Sequence, residues 1–216
     1  MINLVIHGHT GRLAKRIIDN LKNNENIKYV GFIDRLYDFT ILALNTNIVI
    51  LDITSDIGCR NLLKKLLEKE LYYPLIIGST GALPKHLIEL YAHYVRVYEV
   101  SNFSHGMKSI LNVLPSIKIP NGRYEISETH HIYKKDIPSG TAKSIAKQID
   151  SNYNIDDIKS IREESVHGIH ETIIENDYEK IVIRHEVKDP NIFAIGCIQY
   201  TNEMNLNRTI IGYFKI

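Results

Sequence analysis

The chain has 216 residues, 44% hydrophobic and 24% charged, with Lys+Arg 26 against Asp+Glu 25 for a formal charge of +1. This composition excludes collagen-like, disordered and disulfide-scaffold classes and leaves one large or two small domains able to bury a core. The balanced charge carries no electrostatic footprint for nucleic acid or an anionic membrane surface. Cys59 and Cys197 show no CxxC spacing, the first residues lack the basic region of a secretory signal, and the longest apolar stretch (39–53) is broken by Asn45, Asn47 and Asp52. These features predict a reducing, cytoplasmic setting and no transmembrane span.

In chain order, residues 2–6 form a short apolar run ending near a glycine, the pattern of a buried strand. Leu13, Ile17 and Leu21 then recur at helical spacing. Strands are predicted at 29–33, 47–53, 74–78 and 95–100, with helices at 57–71 and 84–93 between them. Strands alternating with helices imply a parallel sheet, because parallel neighbours need a crossover. Further on, residues 123–131 and 180–187 alternate with period two, as half-exposed antiparallel strands do. One helix (141–149) lies between them, and 150–160 reads as a polar loop. The fold class is therefore α/β: a Rossmann-like parallel-sheet domain followed by a smaller α+β domain with a mainly antiparallel open sheet.

Strand one runs into Gly8-His9-Thr10-Gly11-Arg12-Leu13-Ala14, which opens the first helix. Gly8 permits a tight turn, Gly11 lets backbone approach a pyrophosphate, and the helix N-terminus offers free amides and a positive dipole. Asp34, at the end of strand two, suits the adenosine ribose hydroxyls, whereas the adjacent Arg35 suits a 2′-phosphate, so NADPH and NADH both stay open. Gly78-Ser79-Thr80-Gly81 and Val100-Ser101-Asn102-Phe103 follow strands four and five, at the edge where ligands of open parallel sheets collect.

The run from Glu128 to Thr141, ETHHIYKKDIPSGT, concentrates the chemistry. Histidine titrates near neutrality and a desolvated lysine can be tuned toward it. His130 and His131, adjacent on a predicted strand, point to opposite faces and take different roles. Lys134 follows the strand, Ser139 is placed to cap the next helix, and Gly140 and Thr141 head it, an anion seat suited to a carboxylate. A metal site on His130, His131, His167 and His170 is disfavoured: no HExxH or Cys-rich spacing supports it, and a flanking lysine repels a cation. No metal is expected.

The pattern E-x-H-H-x-x-K-x-D-x-P-S-G-T resembles the signature of the 4-hydroxy-tetrahydrodipicolinate reductase family. Gly8 to Leu13, Gly78-Ser79-Thr80-Gly81, Asn102-Phe103-Ser104, Gly168-Ile169-His170 and Phe193-Ala194-Ile195-Gly196 resemble its further motifs, in family order. The resemblance implies NAD(P)H-dependent reduction of a cyclic dicarboxylate imine on the way to diaminopimelate and lysine, and a homotetramer built through the second sheet. It implies His130 and Lys134 as the catalytic pair, and His131, Ser139, Gly140 and Thr141 as substrate-binding. On the cofactor side it implies Gly8, His9, Thr10, Gly11, Arg12 and Leu13 for the pyrophosphate, with Asp34 and Arg35 at the ribose. Gly78, Ser79, Thr80, Val100, Ser101, Asn102 and Phe103 would then line the nicotinamide side. A cofactor domain over residues 1–102, with 192–216 packing back on it, and a substrate and oligomerisation domain over 103–191 are expected. The alternating strand around Ile181 and Ile183 suits the tetramer contact. Four departures stand out: Ala14 in place of a glycine, a short segment between Asp34 and Asn47 that predicts a reduced crossover helix, His105 at a usually small position, and an acidic 162–168 stretch with Glu163 and Glu164. Another Rossmann oxidoreductase on an amino-acid-like imine, or a nucleotide-sensing protein without catalysis, is the competing reading.

Overall fold

The computed structural model describes residues 1–206 and 210–216. The chain divides into two compact units, one of Met1–Phe103 with Phe193–Ile216, the other of Ser104–Ile192.

In the first unit, strands β1 (Ile2–His7), β2 (Ile27–Ile33), β3 (Ile48–Asp52), β4 (Leu75–Ile77), β5 (Arg96–Glu99) and β10 (Gly212–Lys215) form one sheet in the order β10-β5-β4-β3-β1-β2. Every pairing is parallel. The central strands are continuous Ile, Leu and Val runs because both faces are covered. Leu4 and Ile6 pack with Ala14, Ile17 and Leu21 of α1 (Arg12–Leu21) and with Ala194, Cys197, Tyr200 and Met204 of α7 (Asn191–Leu206). Val5 and Ile50, turned the other way by the pleat, pack with Leu62, Leu63 and Leu66 of α3 (Asp56–Glu68) and with Leu87, Ile88 and Tyr91 of α4 (Lys85–Ala92). The segment after β2 holds only the four-residue helix α2 (Thr40–Ala43), the reduced crossover that the short sequence there predicts. Strand order reverses on either side of β1, so the carboxyl ends of β1 and β3 flank the topological switch point, with His7 in register with Asp52.

In the second unit, β6 (Arg123–His130), β7 (Lys159–Arg162), β8 (Ile169–Glu175) and β9 (Lys180–Glu186) form a sheet in the order β7-β6-β8-β9. β6·β8 and β8·β9 are antiparallel, and β6·β7 is parallel. Helices α5 (His105–Val113) and α6 (Gly140–Ile149) cover one face, where Met107, Ala142, Ile145, Ala146 and Ile149 pack with Ile126.

Two expectations need correcting here. The polar stretch 150–160 is not all loop, since β7 begins within it at Lys159. Ile183 does not belong to an outward contact face: it packs against the core, while Ile173 and Val182 form a cross-strand pair on the opposite side of the sheet.

Candidate active site

The turn after β1 has the geometry a phosphate needs. Gly8 has φ +101, and a Cβ on it would lie 2.9 Å from the Ile53 carbonyl oxygen, so only glycine fits without displacing the β3–α3 connection. Helix α1 starts at Arg12 with Gly11 as its N-cap, and no side chain caps it and no acid stands in its first turn. Thr10, Gly11 and Arg12 are exposed. Uncapped amides and a positive helix end fit a pyrophosphate, and these residues therefore suit a dinucleotide. Leu13 is half-buried against the core beneath, and the His9 ring stacks on Phe32 at 3.7 Å. Asp34 directly follows β2, one carboxylate oxygen accepting the Leu36 amide at 2.9 Å, and Arg35 is exposed beside it.

Below this edge lies a polar network that the sequence did not announce. Asp52, 0% exposed, receives His7 Nδ1 at 2.9 Å, Thr54 Oγ1 at 2.7 Å and Ser79 Oγ at 2.7 Å. The Thr54 amide donates to Ser79 Oγ at 2.8 Å. The Ser79 hydroxyl is thus committed to tying β3 to β4 and is not turned outward as a ligand group. Thr80 is exposed. A Cβ on Gly78 would lie 2.5 Å from the Phe103 ring, which is buried there, and Val100 is likewise in the core. Of the 100–103 stretch, only Ser101 and Asn102 are part-exposed.

In the second unit, β6 alternates so that Ile126, Glu128 and His130 are buried on one face. The strand ends at His130, so His131 is not on the opposite face of a strand; it starts the turn that its carbonyl closes with the Lys134 amide at 3.0 Å. The Lys134 ammonium is 2.8 Å from Asp136 Oδ1. The Asp136 carboxyl lies below its ordinary range: burial opposes this, but Lys134 and the Gly140 amide outweigh burial. A carboxylate of the chain itself therefore rests against an ammonium, four residues before α6 begins. Ser139 caps that helix, its hydroxyl accepting the Ala142 amide at 3.2 Å, and it is buried. Its side chain serves the helix start, while Gly140 is part-exposed and Thr141 buried beside it.

Glu128, 1% exposed, joins these pieces. Its Oε1 accepts from the Ser139 amide at 3.0 Å, Ser160 Oγ at 3.0 Å and Arg162 Nη2 at 3.3 Å. Its Oε2 faces His130 Nδ1 at 3.3 Å and His170 Nε2 at 4.0 Å. Burial opposes its charge, yet the neighbouring His130 imidazole and the hydrogen bonds from Ser139 and Ser160 hold the carboxyl well below the usual range. Burial pushes His170 down to about 3, with the neighbouring His130 adding to the effect, so His170 is neutral. Arg162 also grips the loop by its donors to the Lys134 carbonyl at 3.4 Å and the Asp136 carbonyl at 2.8 Å. Sequence reading placed Arg162 at the head of an acidic stretch; its role follows from the parallel pairing of β7 with β6, which puts it level with His130. Glu163 and Glu164 are exposed. Glu128, His130 and His170 offer possible metal-ligating atoms within 4.8 Å of one another, but Arg162 already neutralises that carboxylate.

The model of the family described as "Dihydrodipicolinate reductase, C-terminus" matches residues 103–214. A 4-hydroxy-tetrahydrodipicolinate reductase of Rickettsia akari (strain Hartford) is 32% identical over 223 residues, covering 92% of this chain and 89% of the relative. The enzyme of the same name from Rickettsia rickettsii (strain Sheila Smith) is 30% identical over 228 residues, covering 92% and 91%. Among solved structures, a dipicolinate-bound dihydrodipicolinate reductase from Paenisporosarcina sp. TG-14 superposes with a TM-score of 0.70 at 19% identity, covering 100% of this chain and 97% of that one. An engineered D-amino acid dehydrogenase bound to NADP+ shares the fold with a TM-score of 0.60 at 9% identity, covering 99% and 92%. A switch-point phosphate turn on a parallel sheet, with a second unit carrying histidine, lysine and an anion seat, defines an NAD(P)H-dependent oxidoreductase. The chain belongs to the dihydrodipicolinate reductase family.

Proposed function

We propose that the protein takes 4-hydroxy-tetrahydrodipicolinate, which loses its 4-hydroxyl with a ring proton as water to give the conjugated dicarboxylate imine, and reduces that ring to tetrahydrodipicolinate by hydride from NADPH or NADH and a proton, a step toward diaminopimelate and lysine. The observation that carries this reading is the Lys134 ammonium 2.8 Å from the Asp136 carboxylate, just before a helix that Ser139 caps. Groups that hold one carboxylate in this way can hold a carboxylate of a dicarboxylate ring. The bound dinucleotide supplies a hydride from its reduced nicotinamide. Gly8 to Leu13 hold its pyrophosphate, Asp34 and Arg35 its adenosine ribose, and Thr80, Ser101 and Asn102 offer polar groups at the nicotinamide side. Gly140, Thr141 and His131 grip the substrate carboxylates. Lys134 and His130 form the catalytic pair: a cation beside the ring stabilises the electron density that arrives with the hydride, and one of the two then delivers the proton. The outward pair Ile173 and Val182, flanked by the ion pair of Glu171 with Arg184 at 3.3 Å, gives the second sheet a face for a further copy, and a homotetramer is our reading of it. No helix among the described residues is long and apolar enough to cross a membrane. We place the reaction in the cytoplasm.

The test is the initial rate of cofactor oxidation at 340 nm by the purified full chain with freshly generated 4-hydroxy-tetrahydrodipicolinate, using each cofactor in turn. Turnover that depends on this substrate is expected. Tight cofactor binding without oxidation would favour a sensing role, and turnover only with another imine would favour a different dehydrogenase.

A further inference from the structure

The family motif begins at Glu128, two residues before the histidine, and the sheet explains what that spacing does. Residues i and i+2 on a strand share a face, so Glu128 and His130 stand side by side beneath α6. Register places His170 of β8 directly across from Glu128 on one flank; on the other, Ser160 and Arg162 of β7 stand level with Glu128 and His130. The two carboxylate oxygens have separate tasks. Oε1 is filled by the Ser139 amide, the Ser160 hydroxyl and the Arg162 guanidinium. Oε2 has only imidazoles before it, and of these His170 is neutral and also faces Ser139 Oγ at 3.4 Å. That leaves His130 Nδ1, at 3.3 Å, as the nearer imidazole nitrogen to Oε2.

We propose that Glu128 is a positioning residue that fixes the tautomer of His130. A carboxylate at Nδ1 holds a proton on that nitrogen and leaves Nε2 as the working atom. The Nε2 edge is kept open by Gly168, where a Cβ would lie only 3.3 Å from Nε2. Because Oε1 also holds the Ser139 amide at the start of α6, one side chain aligns the proton donor with the carboxylate seat. Around this pair stand Arg162 of β7, 3.3 Å from the Glu128 carboxylate, and the ring of His170 on β8, edge-on to His130 at 5.0 Å. This inference rests on His130 being the proposed proton donor, but its tautomer can be read without turnover.

The experiment is histidine-selective NMR on the full-length chain, with the His130 signals assigned through His130→Asn. In the wild type the neutral ring carries its proton on Nδ1. In Glu128→Gln, whose side chain carries no charge, the Nε2–H share of the neutral ring rises by about threefold or more in the ring-nitrogen shifts. kcat falls with it, Glu128→Asp recovers part of the Nδ1–H preference, and KM for the cofactor stays put. An Nε2–H tautomer in the wild type, which needs no Glu128 variant to observe, overturns the proposal, as does an unchanged tautomer ratio in Glu128→Gln. An inactive wild type with the Nδ1–H tautomer would sink the proposed reaction and leave this assignment standing.

Discussion

The two units each bury one carboxylate with a histidine and a serine against it, and the two clusters serve different ends. Asp52 draws in His7, Thr54 and Ser79 from the ends of β1, β3 and β4, so its partners are the framework of the switch point itself. Glu128 draws in His130, Ser139, Ser160 and Arg162, and its cluster adjoins a part-exposed lysine and the start of α6. The first cluster ties three strand ends together and leaves the exposed α1 start to the proposed pyrophosphate; the second sets a histidine beside a carboxylate, an arginine and a second histidine. The same residue types therefore say little alone. What the remaining edges of the histidine and serine face decides the role.

The comparison breaks first at Lys134. Lys134→Ala should lower kcat by about 10²–10³-fold while cofactor affinity changes by less than about threefold, as read by steady-state kinetics with a fluorescence titration of the cofactor. Retained turnover would return the second cluster to scaffold. Next in size, Asp52→Ala leaves the buried His7 and Ser79, and the Thr54 hydroxyl beside them, without their acceptor and should cost about 3 kcal/mol in denaturant unfolding, while kcat per folded molecule at saturating cofactor stays within about threefold.

Acid sharpens the contrast between the units. Burial disfavours the charged form of His170 and pushes it down to about 3 when folded, from an ordinary value of 6.5. Between those values the unfolded chain binds more protons, so stability is full above about 6.5 and falls as pH drops toward 3. The depressed Glu128 adds a loss in the same direction once pH falls below 4.5. His170→Gln should flatten the decline by up to about 1.4 kcal/mol per pH unit between 6.5 and 4.5, in urea melts taken across that range. An identical slope in the variant would remove His170 as its source. The smallest expected effect is at the ribose end, where Arg35→Ala should weaken NADPH by about tenfold and leave NADH nearly unchanged in matched binding titrations.

Much of the first unit was legible because each central strand is an unbroken apolar run and each flanking helix repeats at three or four. Helix α7 was less so: Ala194, Cys197, Tyr200 and Met204 face the core, but Ile195 is 42% exposed on the outer side and blurs the stripe. Strand β7 is a half-polar edge strand, KSIR, and β8 interleaves glutamates and a histidine with its buried positions. Neither announces itself by hydropathy, and β10 is four residues whose partner, β5, is far away in sequence. For the site, residue types and order marked His130, Lys134 and the α6 start. The Glu128–Arg162 tie and the Asp52 network come from strand register, which no local pattern encodes.

The most direct test of the account follows the hydride. Reduced cofactor carrying two deuterium atoms at nicotinamide C4 is turned over with fresh 4-hydroxy-tetrahydrodipicolinate, and the product is weighed by mass spectrometry. The account predicts tetrahydrodipicolinate one mass unit heavier than that formed with unlabelled cofactor. Cofactor oxidation that leaves the ring unlabelled, or no oxidation at all, would contradict it.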